Sequence, residues 1–167
     1  MKPSRPTADG CGPPAGPPTA FLLAQVGAHA ASKFAERLGD LQLVPAHAGM
    51  LRVLKSAGAM TQQALATALN TLPSRMVALV DELESRGLVE RRENPDDRRS
   101  YALELTEKGR AALEAIGRIG REHTRALLAA LSEEEQRRLG SLLQRIADEQ
   151  GLQRGIHPGY ARLGIKR

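Results

Sequence analysis

The sequence has few aromatic residues: its 167 residues include two Phe, two Tyr and no Trp. So few rings cannot build the stacking platforms with which single-strand and RNA binders hold unpaired bases. Its single cysteine, Cys11, excludes an intramolecular disulfide and any cysteine-rich zinc site. The apolar runs, such as residues 20–24, are far too short to cross a membrane, and a Pro- and Gly-rich stretch follows Lys2 and Arg5. We therefore expect a cytoplasmic protein with no secretory signal and no membrane contact.

An excess of charge of one sign is also missing from the middle of the chain. The formal net charge is +5, but residues 150–167 contribute +4 of it without a single acid, and residues 1–19 contribute +1. The 18 basic and 18 acidic residues of 20–149 cancel. The basic total is a property of the two ends, so any case for nucleic-acid binding depends on where single charges lie in the middle.

What is present is a succession of amphipathic segments. Residues 1–19, rich in proline and glycine, predict a disordered tail, and residues 151–167 form a basic extension. Apolar residues at spacings of three and four predict a helix over residues 20–41. Further helices are predicted to begin at or just after residues that start helices well. These residues are Pro45, Thr61, Pro73, Thr106 and Ser132.

Between the fourth and fifth helices the apolar period changes to two. Tyr101, Leu103 and Leu105 alternate with polar or small residues, residues 88–93 are strand-like, and Asn94-Pro95-Asp96-Asp97 is a turn sequence. Two short helices joined by a tight turn and followed by a two-stranded hairpin predict a winged helix-turn-helix. The expected fold class is therefore mainly α with a small β wing (α+β). In such a fold one helix enters the DNA major groove and the hairpin tip reaches an adjacent minor groove.

Three runs of this region carry recognisable motifs. They are Leu83-Glu84-Ser85-Arg86-Gly87-Leu88-Val89-Glu90-Arg91-Arg92, Pro95-Asp96-Asp97-Arg98-Arg99 and Leu105-Thr106-Glu107-Lys108-Gly109-Arg110. Together with Thr61-Gln62-Gln63-Ala64-Leu65-Ala66 they resemble the multiple-antibiotic-resistance regulator (MarR) family of bacterial repressors. The resemblance covers residues 20–150. It implies helical dimerisation regions at 20–41 and 106–150 around a winged-helix, DNA-binding region at 45–105.

The resemblance also implies a function. It implies a homodimeric transcriptional regulator, a repressor, that binds a palindromic operator in double-stranded DNA. It implies release of the DNA by a small lipophilic or aromatic effector, which would bind where the dimerisation helices meet the winged domain. No cofactor is implied.

Nine residues are candidate DNA contacts by their positions. Arg99 corresponds to the wing arginine that enters the minor groove, with Asp97 orienting it and Arg98 near phosphate. Ser74 and Arg75 correspond to positions that face the major groove, where Arg75 could bind a guanine edge. The remaining candidates are Thr61, Gln62 and Gln63, which would offer polar groups to phosphate, and Arg91, which could instead belong to a solvated strand face.

One departure from the family pattern opens a second hypothesis. Val77 and Ala78 stand where the family often has a Thr-Arg pair, so a basic groove contact is lost. A winged helix used only for protein–protein contact, with weak or no specific DNA binding, is the resulting alternative. A thiol redox sensor using Cys11 is a third, although Cys11 lies in the Pro/Gly-rich tail with no neighbouring base to activate it.

Catalytic and metal-binding motifs are missing from the sequence. The four histidines show no metal-ligand spacing, and there is no phosphate loop, nucleophile elbow or Cys/His pair. The sequence therefore predicts neither an enzyme nor a metal sensor.

Overall fold

The computed structural model describes residues 16–94 and 97–157, with side chains described outside residues 94–100. It is mainly helical with one small antiparallel sheet, which confirms the expected fold class. The predicted tail up to residue 15, with Cys11, and the basic extension from residue 158 lie outside the described residues. The elements are α1 (Thr19–Gly39), α2 (Pro45–Ala57), β1 (Met60–Thr61), α3 (Gln62–Ala68), α4 (Pro73–Ser85), β2 (Val89–Asn94), β3 (Asp97–Leu105), α5 (Glu107–Leu127) and α6 (Glu133–Glu149).

Short-range chemistry explains where the helices begin. Pro45 and Pro73 occupy the first turns of α2 and α4, where a missing backbone N–H costs nothing. The side-chain oxygens of Thr61, Thr106 and Ser132 each accept a hydrogen bond from the backbone N–H three residues further on. Each bond satisfies a donor that the first helical turn leaves without a partner. The predicted starts therefore agree with the observed ones.

The sheet has one strand more than the expected hairpin. Its order is β1-β3-β2, and all pairs are antiparallel. Leu103 of β3 lies opposite Arg91 of β2 on one side and opposite Met60 of β1 on the other. The predicted hairpin is present as β2 and β3, and β1 was not predicted because it has only two residues, too few to show a period. This third strand joins the wing to the start of α3.

The hydrophobic core lies mostly within the winged-helix region. Helices α2, α3 and α4 bury their inner faces against the sheet and against the first half of α5. The largest fully buried side chains are Leu38, Met50, Leu51, Leu65, Met76, Leu83, Leu103 and Ile116, followed by His47, Val80 and Val89. Because protein cores are close-packed, these buried side chains fix the positions of α4 and of the wing, and so of their outer faces.

The helices that flank this core are covered only in part. The second half of α1 packs on α5, where the Phe34 and His123 rings lie 5.6 Å apart. The first half of α1 leaves its apolar side chains exposed, and within the described part of the chain α6 has no buried residue. Beyond α6, Ile156 packs against the core.

Candidate nucleic-acid interface

The angle between α3 and α4 is held by a hydrogen-bonded turn. Asn70 takes a left-handed conformation, with φ at 47°, and the Thr71 N–H donates to the Ala66 carbonyl over 2.9 Å. The buried Thr71 hydroxyl donates to the Leu69 carbonyl over 3.2 Å. These bonds leave α4 projecting from the turn with one long side free of the core.

Three of the predicted contacts lie where β1 passes into α3. Thr61 and Gln62 are half-exposed, and Gln63 is exposed. The Thr61 backbone pairs with Ala102 of β3, while its hydroxyl oxygen caps α3 by accepting from the Ala64 N–H over 3.1 Å. The start of α3 is therefore anchored to the wing, and its contact with phosphate stays a prediction.

The start of α4 carries the two predicted major-groove residues. Ser74 is exposed, whereas Arg75 is half-buried. On the opposite side of the helix Met76, Val80 and Leu83 are buried in the core. Ser74 thus lies on the outer side of α4 and Arg75 on its flank.

Arg91 connects the wing to α4. Its guanidinium Nη2 donates to Asp81 Oδ1 over 2.6 Å, and its Nη1 is paired with Glu84 Oε2. The Arg91 side chain is only 27% exposed. A fork-shaped cation that bridges two carboxylates holds both elements in one orientation. This geometry favours a positioning role for Arg91 over the predicted DNA contact, which the structure does not test.

Arg92, next along β2, is also paired with acids. It donates to Glu90 from Nε over 2.9 Å and from Nη2 over 2.6 Å, and its Nη1 lies 3.5 Å from Glu104. The hydrogen bonds to Glu90 raise the pKa of Arg92 above its ordinary value. The described cations of the wing are therefore balanced by neighbouring carboxylates, so the described part of the wing has no net basic patch.

The three remaining candidates lie at the tip of the wing. The backbone of Asp97, Arg98 and Arg99 belongs to β3, and Asp97 pairs with Asn94 where the register shifts. Their side chains lie outside the described residues. Their roles in the minor groove and at phosphate therefore stay predictions.

The C-terminal end of α4 is anchored by a residue that sequence reasoning did not single out. Arg86 donates to the Gln42 carbonyl over 2.6 Å and to the Leu41 carbonyl over 2.7 Å, in the loop between α1 and α2. Lys108 of α5 donates to the Arg86 carbonyl over 2.8 Å. A positive φ of 54° at Gln42 marks this loop as unusual, but no sequence signal relates it to Arg86, 44 residues away.

A buried histidine lies beneath α4. His47 of α2 is fully buried, its Nδ1 accepts from the Val44 N–H over 3.4 Å, and its Nε2 lies 3.2 Å from Glu82 Oε2. That approach is out of line for a hydrogen bond. Burial lowers the pKa of His47 below its ordinary value, Arg86 lowers it further, and the Glu82 carboxylate opposes this shift only in part. Sequence reasoning missed His47 because the residues around it in the sequence do not distinguish it from an exposed histidine.

Neither a metal site nor a membrane segment emerges from the described residues. Among them no three His, Cys, Asp or Glu side chains are grouped to hold a metal ion. Within the same ranges no helix has both the length and the apolar character needed to cross a membrane.

Known proteins share this architecture. The family model described as MarR family matches residues 45–101, from the first residue of α2 to β3. The structure of a transcriptional repressor named CouR, bound to a 23-mer DNA duplex, is 33% identical, with a TM-score of 0.68 over 77% of this chain and 92% of that one. The chain belongs to the MarR family. The matched segment contains α3, α4 and most of the wing, so it contains the candidate interface.

Similarity extends to a further solved structure and to curated sequences. A mutant of MarR from E. coli in complex with operator DNA is 26% identical, with a TM-score of 0.64 over 76% of this chain and 91% of that one. A protein of Thauera aromatica, named as a transcriptional regulatory protein for the hcr operon, is 36% identical over 62% of this chain. The match spans 63% of the length of that MarR-family relative and 59% of a regulator from Bacillus subtilis.

Proposed function

We propose that the protein is a homodimeric transcriptional repressor that inserts α4 into the major groove of a palindromic operator. The supporting observation is that α4 has one side in the core and the other side open, with the wing tied beside it through Arg91. The operator complex of E. coli MarR and the DNA complex of CouR, which have similar folds, support the same docking. The protein acts by binding rather than catalysis, in the cytoplasm with its DNA.

Fluorescence anisotropy tests this function. The full chain is titrated into the DNA upstream of its own gene and into scrambled DNA, at salt concentrations from about 50 to 200 mM. We expect preference for the upstream DNA and a steep loss of affinity as salt rises, because phosphate contacts release counterions. Equal, weak binding to both duplexes would contradict the proposal and favour the protein–protein alternative that Val77 and Ala78 raise.

One variant tests the wing. Because a narrow minor groove attracts an inserted arginine, Arg99→Ala should weaken binding by about tenfold or more. Arg137→Ala is the matched control, since it removes an exposed arginine from α6, remote from α3, α4 and the wing. Equal affinities of the two variants would contradict the role of Arg99.

The dimer is supported by apolar faces that the single chain leaves open. Phe21, Leu22, Leu23 and Val26 of α1 are exposed, as are Leu142, Leu143 and Ile146 of α6. Exposed apolar surface of this kind usually marks an interface. A symmetric dimer would place two copies of α4 about 34–36 Å apart, one turn of DNA, as a palindrome requires.

The effector is supported by a cleft where α2 meets α5. It has a volume of about 390 Å³, and Lys55, Arg110 and Leu113 are among its lining residues. Glu107 and Glu114 also line it, and Arg110 is paired with Glu107 over 2.9 Å, so Lys55 beside Leu113 is the cation that a small aromatic acid would meet. Such a ligand must bind the DNA-free form more tightly than the DNA-bound form, since equal affinity for both forms releases nothing.

A release experiment tests the effector. Benzoate, phenol and related single-ring compounds are titrated into the protein–DNA complex, and the fall in anisotropy is measured. We expect release by an aromatic acid and weaker release from Lys55→Ala. A panel that leaves the DNA affinity of the wild-type chain unchanged would contradict an aromatic effector.

A further inference from the structure

Over the first two and a half turns of α4, residues 73–81, the outer face is formed by four residues. Ser74, Val77, Ala78 and Asp81 follow one another at helical spacings of three, one and three, and all four are exposed. At 100° per residue they lie within about one third of the helix circumference. The opposite face consists of the buried residues Met76, Leu79, Val80 and Leu83. Along the helix axis the centre of the exposed face is the pair Val77 and Ala78, which lie on either side of the line from Ser74 to Asp81.

The chemistry of this face is apolar. Val77 is 42% exposed, and Ala78 beside it adds only a methyl group. The single charge on the face, Asp81, is paired with Arg91 through a 2.6 Å contact. Arg75 lies on the flank of the helix and is half-buried. The centre of the face has no side-chain donor for the acceptor atoms of guanine.

The major groove offers one apolar feature to such a face, the C5 methyl group of thymine. We propose that Val77 and Ala78 are specificity-determining residues that select operator half-sites by contact with thymine methyl groups. This inference rests on the proposed function and names the base that α4 would recognise in the operator. Val77 and Ala78, in place of the Thr-Arg pair, would then change the base that α4 contacts.

The size and position of the face favour DNA over a protein partner. It has one valine and one alanine, bordered by Ser74 and Asp81, so its apolar area is far below the few hundred Å² of a protein-docking patch. It lies beside the wing, because Arg91 of β2 pairs with Asp81 and Glu84 of α4. With α4 in the major groove, the neighbouring wing would reach the adjacent minor groove, which favours DNA as the partner of this face.

Base analogues without the methyl group test the inference. Random-sequence selection with the full-length protein first yields a high-affinity duplex. Each thymine of its half-site is then replaced in turn by deoxyuridine, which pairs identically but lacks the C5 methyl group, and Kd is measured by anisotropy. At the positions read by Val77 we expect a loss of about three- to fivefold per half-site, the effect of one buried methyl group.

The variant Val77→Ala separates contact from DNA shape. It removes two methyl groups from an exposed position, so the fold is preserved. We expect it to bind the thymine duplex several-fold more weakly and to lose less than twofold on replacement by deoxyuridine at the coupled position. Ser85→Ala, an exposed change at the end of the same helix and about two turns beyond Val77, is the control and should keep the full penalty.

Three results would overturn the inference. Deoxyuridine at every half-site thymine could leave Kd within twofold, selected half-sites could lack thymine opposite α4, or the penalty could be equal in wild type and Val77→Ala at every position. The last result would mean that the methyl groups act through DNA shape. Failure of the proposed function is distinct, because selection would then enrich no sequence at all.

Discussion

The winged-helix region and the helices that flank it are built differently. Helix α2 buries eight of its 13 residues and α4 buries four, whereas α1 buries only Leu38, and α6 buries none within the described part of the chain. Yet α6 has an apolar stripe, with Leu142, Leu143 and Ile146 at helical spacing. The difference teaches that the first region encloses its own core, while the second leaves apolar surface that the described residues do not cover.

The two regions meet at a junction formed by α5 and the loop before α2. Arg86 at the end of α4 donates to the carbonyls of Gln42 and Leu41, and Lys108 donates to the Arg86 carbonyl. The Thr106 hydroxyl donates to the Gly87 carbonyl over 2.7 Å. A shift of α1 or α5 would therefore reach α4 directly, which is how a change in the dimer could alter DNA binding.

The largest effect is expected from a substitution that disrupts the exposed apolar stripe of α6. The substitution Ile146→Glu places a charge in the middle of the exposed stripe, where the proposed dimer would bury it. We expect a chain of the 18.0 kDa monomer mass in light scattering rather than twice that mass. Operator affinity should fall about 10²-fold or more, because one palindrome no longer binds two linked copies.

A second substitution on α6 is the control for that result. Ser141→Glu adds the same charge on the opposite face of the helix, where Ser141 is exposed. It should leave both the dimer and the DNA affinity intact. A monomeric Ser141→Glu chain, or a dimeric Ile146→Glu chain, would show that the stripe is not the interface.

A smaller effect is expected at the junction. Gly109 lies so close to the wing that a Cβ there would overlap the Leu88 carbonyl oxygen and lie 3.3 Å from Leu105 Cδ2. Gly109→Ala should lower the free energy of unfolding by about 1–3 kcal/mol, because backbone must move. Urea unfolding followed by circular dichroism measures the change.

The same helix offers a glycine with open space. Apart from its two chain neighbours and the nearby backbone of its own helix, no described atom lies within 4 Å of a Cβ built at Gly120. Gly120→Ala should raise the free energy of unfolding by about 0.5–1 kcal/mol, because alanine favours helix. If both alanine variants changed stability equally, the close approach at Gly109 would not be what decides the effect.

A last effect is expected from pH, and it tests whether the ring of His47 is buried in the core. Burial lowers the pKa of His47, so between its ordinary value of 6.5 and the lower folded value only the unfolded chain binds the proton. The free energy of unfolding should therefore fall as pH drops below about 6.5, by at most about 1.4 kcal/mol per pH unit. Unfolding at pH 7.5 and pH 5.5, at one protein concentration, measures this slope.

The variant His47→Gln isolates the contribution of that histidine. It removes the titrating ring and should flatten the slope. His123→Gln should change the slope less, because the ring of His123 is only half-buried, although burial lowers its pKa as well. An unaltered slope in His47→Gln would contradict the assignment.

Sequence reasoning reached the helix starts and the wing because their signals are local. Pro45, Pro73, Thr61, Thr106 and Ser132 act within one helical turn, so their neighbours along the chain are enough to predict them. The alternation of Tyr101, Leu103 and Leu105 predicts β3 in the same way. The two-residue strand β1 was missed because it forms only through pairing with β3.

The candidate site was predicted less completely than the fold. Its nine residues follow from motif positions, and the exposure of Ser74 and Gln63 agrees with them. The partners of Arg91 were not foreseen, since an arginine on a strand reads the same whether it faces solvent or an acid. The fixing of α4 by Arg86 was missed for the same reason.

Local patterning in the chain predicted the fold class and every element except β1, because period, capping and turn residues act over a few positions, and the motif resemblance predicted the family. Tertiary packing decided which charged and polar side chains meet. Arg91 meets Asp81 and Glu84, His47 faces Glu82, and Arg86 reaches Gln42 only once α2, α4 and the wing are assembled. Such pairs depend on the angles at which elements cross, and those angles are set by how buried side chains fit together.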